Sequence, residues 1–309
     1  MDHIATLRTP PPNLDVFVAE IAAGLETLYG ASAAQDYRGK APQLLTASLR
    51  HPSVRAWAAR DGHEAAALLL GIQRGSWAEI PLLHVLRRHC GTGLESDLLA
   101  YVVDRFRRAN VRGILCECLP VTPVDLRDPF ERLGFETVER QLMQAALDAP
   151  ALTEGDAPAS APIDEADWPE AAACIVDAYR NHPGRRLHAE VQDLLQAAGY
   201  LARVSGGAYG FTRPEYLRRM GPEDASDGVV LGCQVAPEVG FVLQLAVRRE
   251  TQNQGLGAAL LRDLAGAFRA AGLDRIALGV TRSNPARRLY ERLGFEVMRL
   301  TEAYTWWRE

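Results

Sequence analysis

Residues 248–260 read RRETQNQGLGAAL: charged and amide side chains follow an apolar run, then come Gly255 and Gly257, then a helix-forming segment. A helix N-terminus offers unpaired backbone N–H groups and about half a positive charge. Residues with little side chain at that junction let an anion such as a pyrophosphate approach the backbone. The letters exclude two other phosphate loops. A dinucleotide fingerprint needs a third glycine three residues after Gly257, where Leu260 stands, and a P-loop needs Gly-Lys-Ser/Thr, which is absent.

The elements that must position such a loop occur twice. ERLGFETV at 131–138 returns as ERLGFEVM at 291–298. At an offset of 162, Leu94, Leu98, Val102 and Phe106 align with Leu256, Leu260, Leu264 and Phe268, the same apolar stripe at helical spacing. Asn110 meets Gly272, both tolerant of a left-handed C-cap, and GILCEC (113–118) meets RIALGV (275–280) as the following strand. The first copy has two extra residues before ERLGFE, so the later offset is 160. Between the copies, DAPALTEGDAPASAP (148–162) is rich in Ala, Pro and acid without apolar period, and reads as a linker between domains at 14–147 and 163–309. The second half predicts helices near 168–180 and 188–199, strands near 228–236 and 240–248, a helix over 255–271, a strand over 274–280, a helix over 285–292 and a strand from 295. This is an α/β (α+β) sheet domain used twice.

The second half carries a resemblance to a known superfamily. LAVRRETQNQGLGAALL (245–261) resembles the acyl-CoA-binding motif of the GNAT superfamily of acyl-CoA-dependent N-acyltransferases, Gln/Arg-x-x-Gly-x-Gly/Ala after the fourth strand, here Gln252-x-x-Gly255-x-Gly257. TRSNPARRLYERLGFE (281–296) is similar to the downstream signature, an Asn followed by Ala-x-x-Leu-Tyr-Glu-x-Leu-Gly-Phe. Together the two motifs cover the C-terminal domain from about 228 to 300. The resemblance implies two tandem GNAT-like domains, each a mixed, mostly antiparallel sheet flanked by helices. It implies that the amides of Gln254, Gly255, Leu256, Gly257 and Ala258, in a loop shared with Gln252 and Asn253, hold the CoA pyrophosphate. Leu245, Ala246 and Val247 would pair with the pantetheine arm, Asn284 would contact the CoA arm, and Tyr290 would protonate the departing thiolate. Acetyl-CoA is the expected donor, with no metal, and the acceptor an amine of a small molecule or peptide, acylated directly in a ternary complex.

The base is the less specified part. A lysine-type amine, with a pKa near 10.4, is neutral in only about one molecule in a thousand at pH 7, so removing its proton is worth roughly 10² to 10⁴ in rate. Superfamily members often use an acid on the fourth strand, acting through water. Here that strand, GFVLQLAV, carries Gln244, which is a poor proton acceptor; Glu238 in APEVG is the nearest carboxylate, and His182 in RNHPG is a further candidate. The segment 206–228, with Tyr209, Phe211, Tyr216, Arg218 and Arg219, shapes an acceptor pocket or is a solvated excursion, and Trp306 and Trp307 line a cleft or pack on the other domain.

The first copy has lost what the second keeps. Gln252, Gly255 and Gly257 correspond to Cys90, Gly93 and Glu95, and Asn284 and Tyr290 to Val124 and Phe130. A carboxylate in the first helical turn satisfies the helix dipole itself and repels a diphosphate. The N-terminal domain is thus expected to be degenerate.

The bulk composition fits these readings. At 309 residues, with 48% hydrophobic and 24% charged residues and a net charge of −5, the chain has the size of two domains and no basic field to hold nucleic acid or an anionic membrane. The start, MDHIATLRTPPPNLD, lacks the cationic and apolar regions of a signal peptide, and no apolar run is long enough to span a bilayer, so a cytoplasmic protein is expected. The five cysteines, including Cys116-Glu117-Cys118 in an apolar stretch and Cys233 on a predicted strand, read as reduced core thiols. Two other function classes remain open on sequence grounds: a non-catalytic CoA-binding regulator and a structural pair of domains.

Overall fold

The computed structural model describes residues 3–118, 124–154, 160–222 and 225–308, and the chain divides into two compact units, Met1–Val138 with Glu302–Glu309, and Glu139–Thr301. Part of the expected linker, 155–159, lies outside the described residues.

The first unit runs β1 (Ile4–Leu7), α1 (Leu14–Tyr29), α2 (Ala31–Ser48), β2 (Val54–Asp61), β3 (Glu64–Arg74), β4 (Trp77–Val85), α3 (Leu94–Arg108), β5 (Gly113–Cys116), α4 (Arg127–Arg132) and the start of β6 (Glu136–Ala146). β1 to β4 are antiparallel neighbours and β5 joins β4 in parallel. The second unit holds the rest of β6, then α5 (Pro150–Thr153), β7 (Ala161–Pro162), α6 (Trp168–Ala178), α7 (Leu194–Ser205), β8 (Leu217–Met220), β9 (Gly228–Ala236), β10 (Val239–Val247), α8 (Leu256–Ala270), β11 (Arg275–Thr281), α9 (Arg287–Arg292) and the start of β12 (Glu296–Trp307). β7 to β10 are antiparallel neighbours and β11 joins β10 in parallel.

The last strand of each repeat pairs in the sheet of the other. β6 lies antiparallel to β11, from Arg140 opposite Thr281 to Ala146 opposite Arg275, whereas residues 304–307 of β12 lie antiparallel to β5. The compact units therefore do not follow the expected domain limits of 14–147 and 163–309: residues 139–147 fold with the second unit and 302–309 with the first. Trp306 and Trp307 accordingly serve the first unit, Trp306 under the Arg107 guanidinium and Trp307 edge-on to Trp77.

The backbone extends the repeat beyond side-chain types. Left-handed residues recur in register: Gly91 and Asn253 (φ 79° and 63°), Gly93 and Gly255 (84° and 90°), Asn110 and Gly272 (62° and 80°), Gly134 and Gly294 (75° and 87°). Glycine, or asparagine with its short polar side chain, fills these positions because other residues clash there. The long helix of each repeat, α3 or α8, is capped by the left-handed glycine.

The α8 stripe is buried as expected, with Leu260, Leu264 and Phe268 fully inaccessible. It lies on strands stripped of side chains beneath it: a Cβ at Gly240 would stand 2.3 Å from Phe268 Cδ2, and one at Gly232 2.9 Å from Leu264 Cδ1. Close backbone approach, rather than turn geometry, fixes these glycines.

Two expectations are displaced. The helix predicted over 188–199 is α7 at Leu194–Ser205, because Asp193 is extended and its carboxylate accepts a hydrogen bond from Gln196 N–H (2.9 Å), which starts the helix there. The 206–228 segment contains β8, Tyr216 is fully buried edge-on to Phe268, and Arg218 and Arg219 bind Ser160 and Asp167. Tyr216 and the basic pair are thus structural.

Candidate active site

β10 opens on one side. It pairs with β11 only from Val239 to Val242, and the register against β9 slips between Val242 and Gln244. Beyond this bulge, Leu243 to Val247 keep β9 on one edge and leave the β11 side, while β11 continues to Thr281 against β6. A strand that parts from its neighbour presents an edge of N–H and C=O groups, which an extended amide-bearing ligand can complete. Leu245, Ala246 and Val247 lie on this segment. The Val247 carbonyl is already used, accepting a hydrogen bond from Gln252 Nε2 at 3.0 Å, so Gln252 shapes the loop.

The loop after β10 delivers the chain to α8. Gln254 Nε2 donates to the Glu250 carbonyl (3.3 Å), Asn253 and Gly255 are left-handed, and the first helical bonds are those of Ala258 and Ala259 to the Gly255 carbonyl. The amides of Leu256 and Gly257 precede those bonds, in the first turn, where a phosphate would meet them. Gly257 has a second constraint: a Cβ there would lie 3.2 Å from Leu289 Cδ2 and 3.8 Å from Leu245 Cδ2 and Val247 Cγ2. The open strand edge and these amides fit a ligand with a diphosphate and an amide-bearing arm.

Tyr290 on α9 is 8% exposed. Burial raises its phenol pKa, Tyr179 raises it further, and the Arg140 guanidinium pulls it back. Tyr179 is likewise raised by burial, against the opposing pull of Gln244 and Arg140. Gln244 is 3% exposed, and its Nε2 has no hydrogen-bond partner among the described residues. Tyr290, Tyr179, Gln244 and Arg140 thus form one buried group beside the open strand.

Asn284 and His182 interlock. Asn284 Oδ1 accepts from Ala286 N–H (2.9 Å), and the His182 side chain is hydrogen-bonded to the Asn284 side chain. His182 Nδ1 accepts from Gly184 N–H (3.0 Å), which assigns its proton to Nε2. Burial lowers the His182 pKa, with a further contribution from His188, so the ring is neutral and both nitrogens are engaged. It has no lone pair to serve as the base.

Glu238 is not brought to this group. It lies in the turn before β10, six residues from Gln244 and so about 20 Å away along the strand, and its carboxylate pairs with Arg275 at 3.2 Å. Burial pushes the Cys174 and Cys233 thiols up to about 12, which leaves almost no thiolate on either at neutral pH.

The sequence reading missed Tyr179, Arg140, His188 and Glu190. Arg140 comes from the exchanged strand β6, and the other three lie in the segment between α6 and α7, where no motif marks them.

Residues 180–295 match the family model described as the acetyltransferase (GNAT) family. The match lies within the second half of the chain, where both sequence motifs stand. Its fold over nearly the whole length is shared with a GCN5-related N-acetyltransferase from Sphaerobacter thermophilus, at 19% identity and a TM-score of 0.63, covering 99% of this chain and 96% of that one. It is shared equally with a tandem GNAT protein from the clavulanic acid biosynthesis pathway (16% identity, TM-score 0.61, 98% of each chain). A putative acetyltransferase from Pyrococcus horikoshii follows (12% identity, TM-score 0.59, 100% of this chain and 91% of that one). A search of curated proteins finds no significant match. At these identities the structural likeness concerns the fold alone, a mostly antiparallel sheet flanked by helices. Among the described residues, no helix is long and apolar enough to cross a membrane.

The N-terminal copy of the site differs in kind. Phe130, at the position of Tyr290, is fully buried and stacked on Tyr304 at 4.2 Å between ring centroids. Glu95, at the position of Gly257, keeps one carboxylate oxygen buried with no hydrogen-bond partner among the described residues.

Proposed function

We propose that the second unit transfers an acyl group, by default acetyl, from acyl-CoA directly to an amine of a small molecule or peptide. The observation that carries this reading is the parting of β10 from β11 beyond Val242, between the first turn of α8 and the buried Tyr290. The amides of Gln254 to Gly257 receive the diphosphate, the Ala258 N–H being already bonded to the Gly255 carbonyl, and the edge at Leu245 and Ala246 receives the amide-bearing arm. Asn284 contacts the CoA arm, its side chain held by His182 and Ala286.

Acyl-CoA supplies an activated thioester carbonyl. The chain orients it, excludes water with Tyr179, Gln244 and Tyr290, and gives the Tyr290 proton to the departing sulfur. The N-terminal unit, on this reading, binds no acyl-CoA. The free state of all five cysteines supports a reducing, cytoplasmic setting. Calorimetric titration with acetyl-CoA, followed by thiol-release assays over a panel of amines, tests the proposal. Binding with amine-dependent thiol release is expected. Absence of acetyl-CoA binding overturns it, and binding without transfer to any amine reduces the site to a CoA-binding module.

A further inference from the structure

Beside the buried group, and on an element the sequence motifs do not include, stands a histidine–carboxylate pair. His188 Nδ1 lies 3.0 Å from Glu190 Oε1, with the two side chains 21% and 15% exposed. The pair sits on a one-turn helix, Ala189–Val191, in the segment between α6 and α7. That segment is cross-tied: Gln192 Nε2 donates to the carbonyls of Arg185 (2.6 Å) and His188 (2.9 Å), Arg185 Nη2 donates to the Gln192 carbonyl (3.2 Å), and Val191 is fully buried. A side chain mounted there has a fixed aim.

Its surroundings are those of the transfer site. The His188 ring meets the Tyr179 ring edge-on at 5.6 Å between centroids, and His182 meets Tyr179 from elsewhere at 4.9 Å. Tyr179 lies against Gln244 and within electrostatic reach of Tyr290. Tyr200 on α7, which feels the Glu190 charge, donates its hydroxyl to the Leu243 carbonyl at 3.3 Å, at the β10 bulge. The groups facing the pair are thus Tyr179, His182, Tyr200, Arg203 and Gln244, drawn from the α6 end, α7 and β10. The Glu190 carboxylate accepts the His188 Nδ1–H. That fixes the tautomer and puts the lone pair on Nε2, which makes no hydrogen bond among the described residues.

We propose that His188 Nε2 is the general base for the acceptor amine and that Glu190 is its positioning residue. This rests on the acyl-transfer reading of the site, and it supplies the function that Gln244 cannot perform on β10. The protonated amine gives one proton to Nε2. Its nitrogen then forms a bond to the thioester carbonyl carbon, the C–S bond breaks, and the sulfur takes the Tyr290 proton. The nitrogen loses its second proton as the amide forms, which restores Tyr290, and His188 releases its proton to solvent. The products are amide, thiol and one proton.

Two measurements on the full-length protein test this. Ring-nitrogen NMR on 15N-histidine-labelled protein, with and without acetyl-CoA, is expected to show the neutral form of His188 carrying its proton on Nδ1, and a mixture of tautomers in Glu190→Gln. A proton fixed on Nε2 overturns the proposal. In turnover with ethanolamine, glucosamine and a lysine peptide, His188→Gln is expected to lower kcat/KM by about 10² to 10⁴ while acetyl-CoA affinity stays within about twofold. The deficit should shrink strongly for methoxyamine, which is already neutral at the assay pH, because that probe has no proton to give up. An equal deficit for all probes marks a structural role and overturns the proposal.

The outcomes separate the two readings. Failure of the wild type to bind acetyl-CoA defeats the acyl-transfer reading. Binding with unimpaired His188→Gln turnover defeats only the base. If no probe amine is acylated, the ring-nitrogen tautomer decides.

Discussion

Gly257 and Leu289 are in such close register that a methyl group on Gly257 would stand 3.2 Å from Leu289 Cδ2. This glycine in the first turn of α8 therefore sets how closely α9, and with it Tyr290, approaches α8. Gly257→Ala sets the displacement of Leu289 against the roughly 1 kcal/mol that alanine gains over glycine inside a helix, and is expected to weaken acetyl-CoA binding and turnover together. Thermal unfolding and calorimetry on the same variant check this; a raised Tm with unchanged affinity would show that Leu289 yields freely. Gly257→Glu, which copies Glu95 of the first repeat, combines repulsion of the diphosphate with a larger displacement of Leu289.

Tyr290→Phe is expected to slow turnover about tenfold to a few hundredfold without changing acetyl-CoA affinity. A tyrosine near 10 already donates uphill to a thiolate near 8.5, by about 2 kcal/mol, and burial steepens that climb while Arg140 moderates it. Since the pKa is raised, the phenol keeps its proton across neutral and mildly alkaline pH. No loss of kcat assignable to Tyr290 should occur below about pH 9.5, and a wild-type alkaline limb near pH 8 that vanishes in Tyr290→Phe would count against this.

Titration with acetyl-CoA is expected to give one site per chain. The first repeat keeps the left-handed backbone at Gly91 and Gly93 but seals the tyrosine position with Phe130 stacked on Tyr304. Glu95→Gly should not create a second site, because the acid position remains closed. A stoichiometry of two in the wild type would refute the degenerate reading.

Acid should destabilise the fold before its carboxylates protonate. Burial lowers the pKa of both His182 and His84, the latter opposed by its bond to Glu20 at 3.1 Å. A depressed folded-state pKa means that the unfolded chain binds more protons. The stabilisation is full above the ordinary histidine value near 6.5 and is lost as pH falls through the folded value. Tm should therefore decline from about pH 7 to pH 5, and a His84→Gln, His182→Gln double variant should show a flatter slope. An equal slope in that variant would remove both histidines from the account.

Gly240→Ala offers a test of packing away from the chemistry. Its Cβ would fall 2.3 Å from Phe268 Cδ2. A loss of about 1–3 kcal/mol is expected in denaturant unfolding, larger than for Gly272→Asn, where the space is open and asparagine tolerates the left-handed backbone.

Much of this protein was determined by the sequence alone, wherever a local rule binds residue type to geometry. Left-handed positions demand glycine or asparagine, so the loop at Asn253 and Gly255 and the cap at Gly272 were legible. The helical stripe from Leu256 to Phe268 identified its buried face, and the repeat of both marked a doubled fold. The tertiary structure decided the rest, because those features depend on contacts between residues far apart in the chain. No local pattern tells that β6 pairs with β11 rather than with its own repeat, since a strand's hydrogen bonds are indifferent to the origin of its neighbour. The exchange is what brings Arg140 to Tyr290. The packing of Leu289 against Gly257 is likewise a matter of the fold alone. His188 and Glu190 lie two residues apart in an irregular segment with no periodicity, and only the folding of that segment over the β10 bulge gives their spacing a chemical meaning.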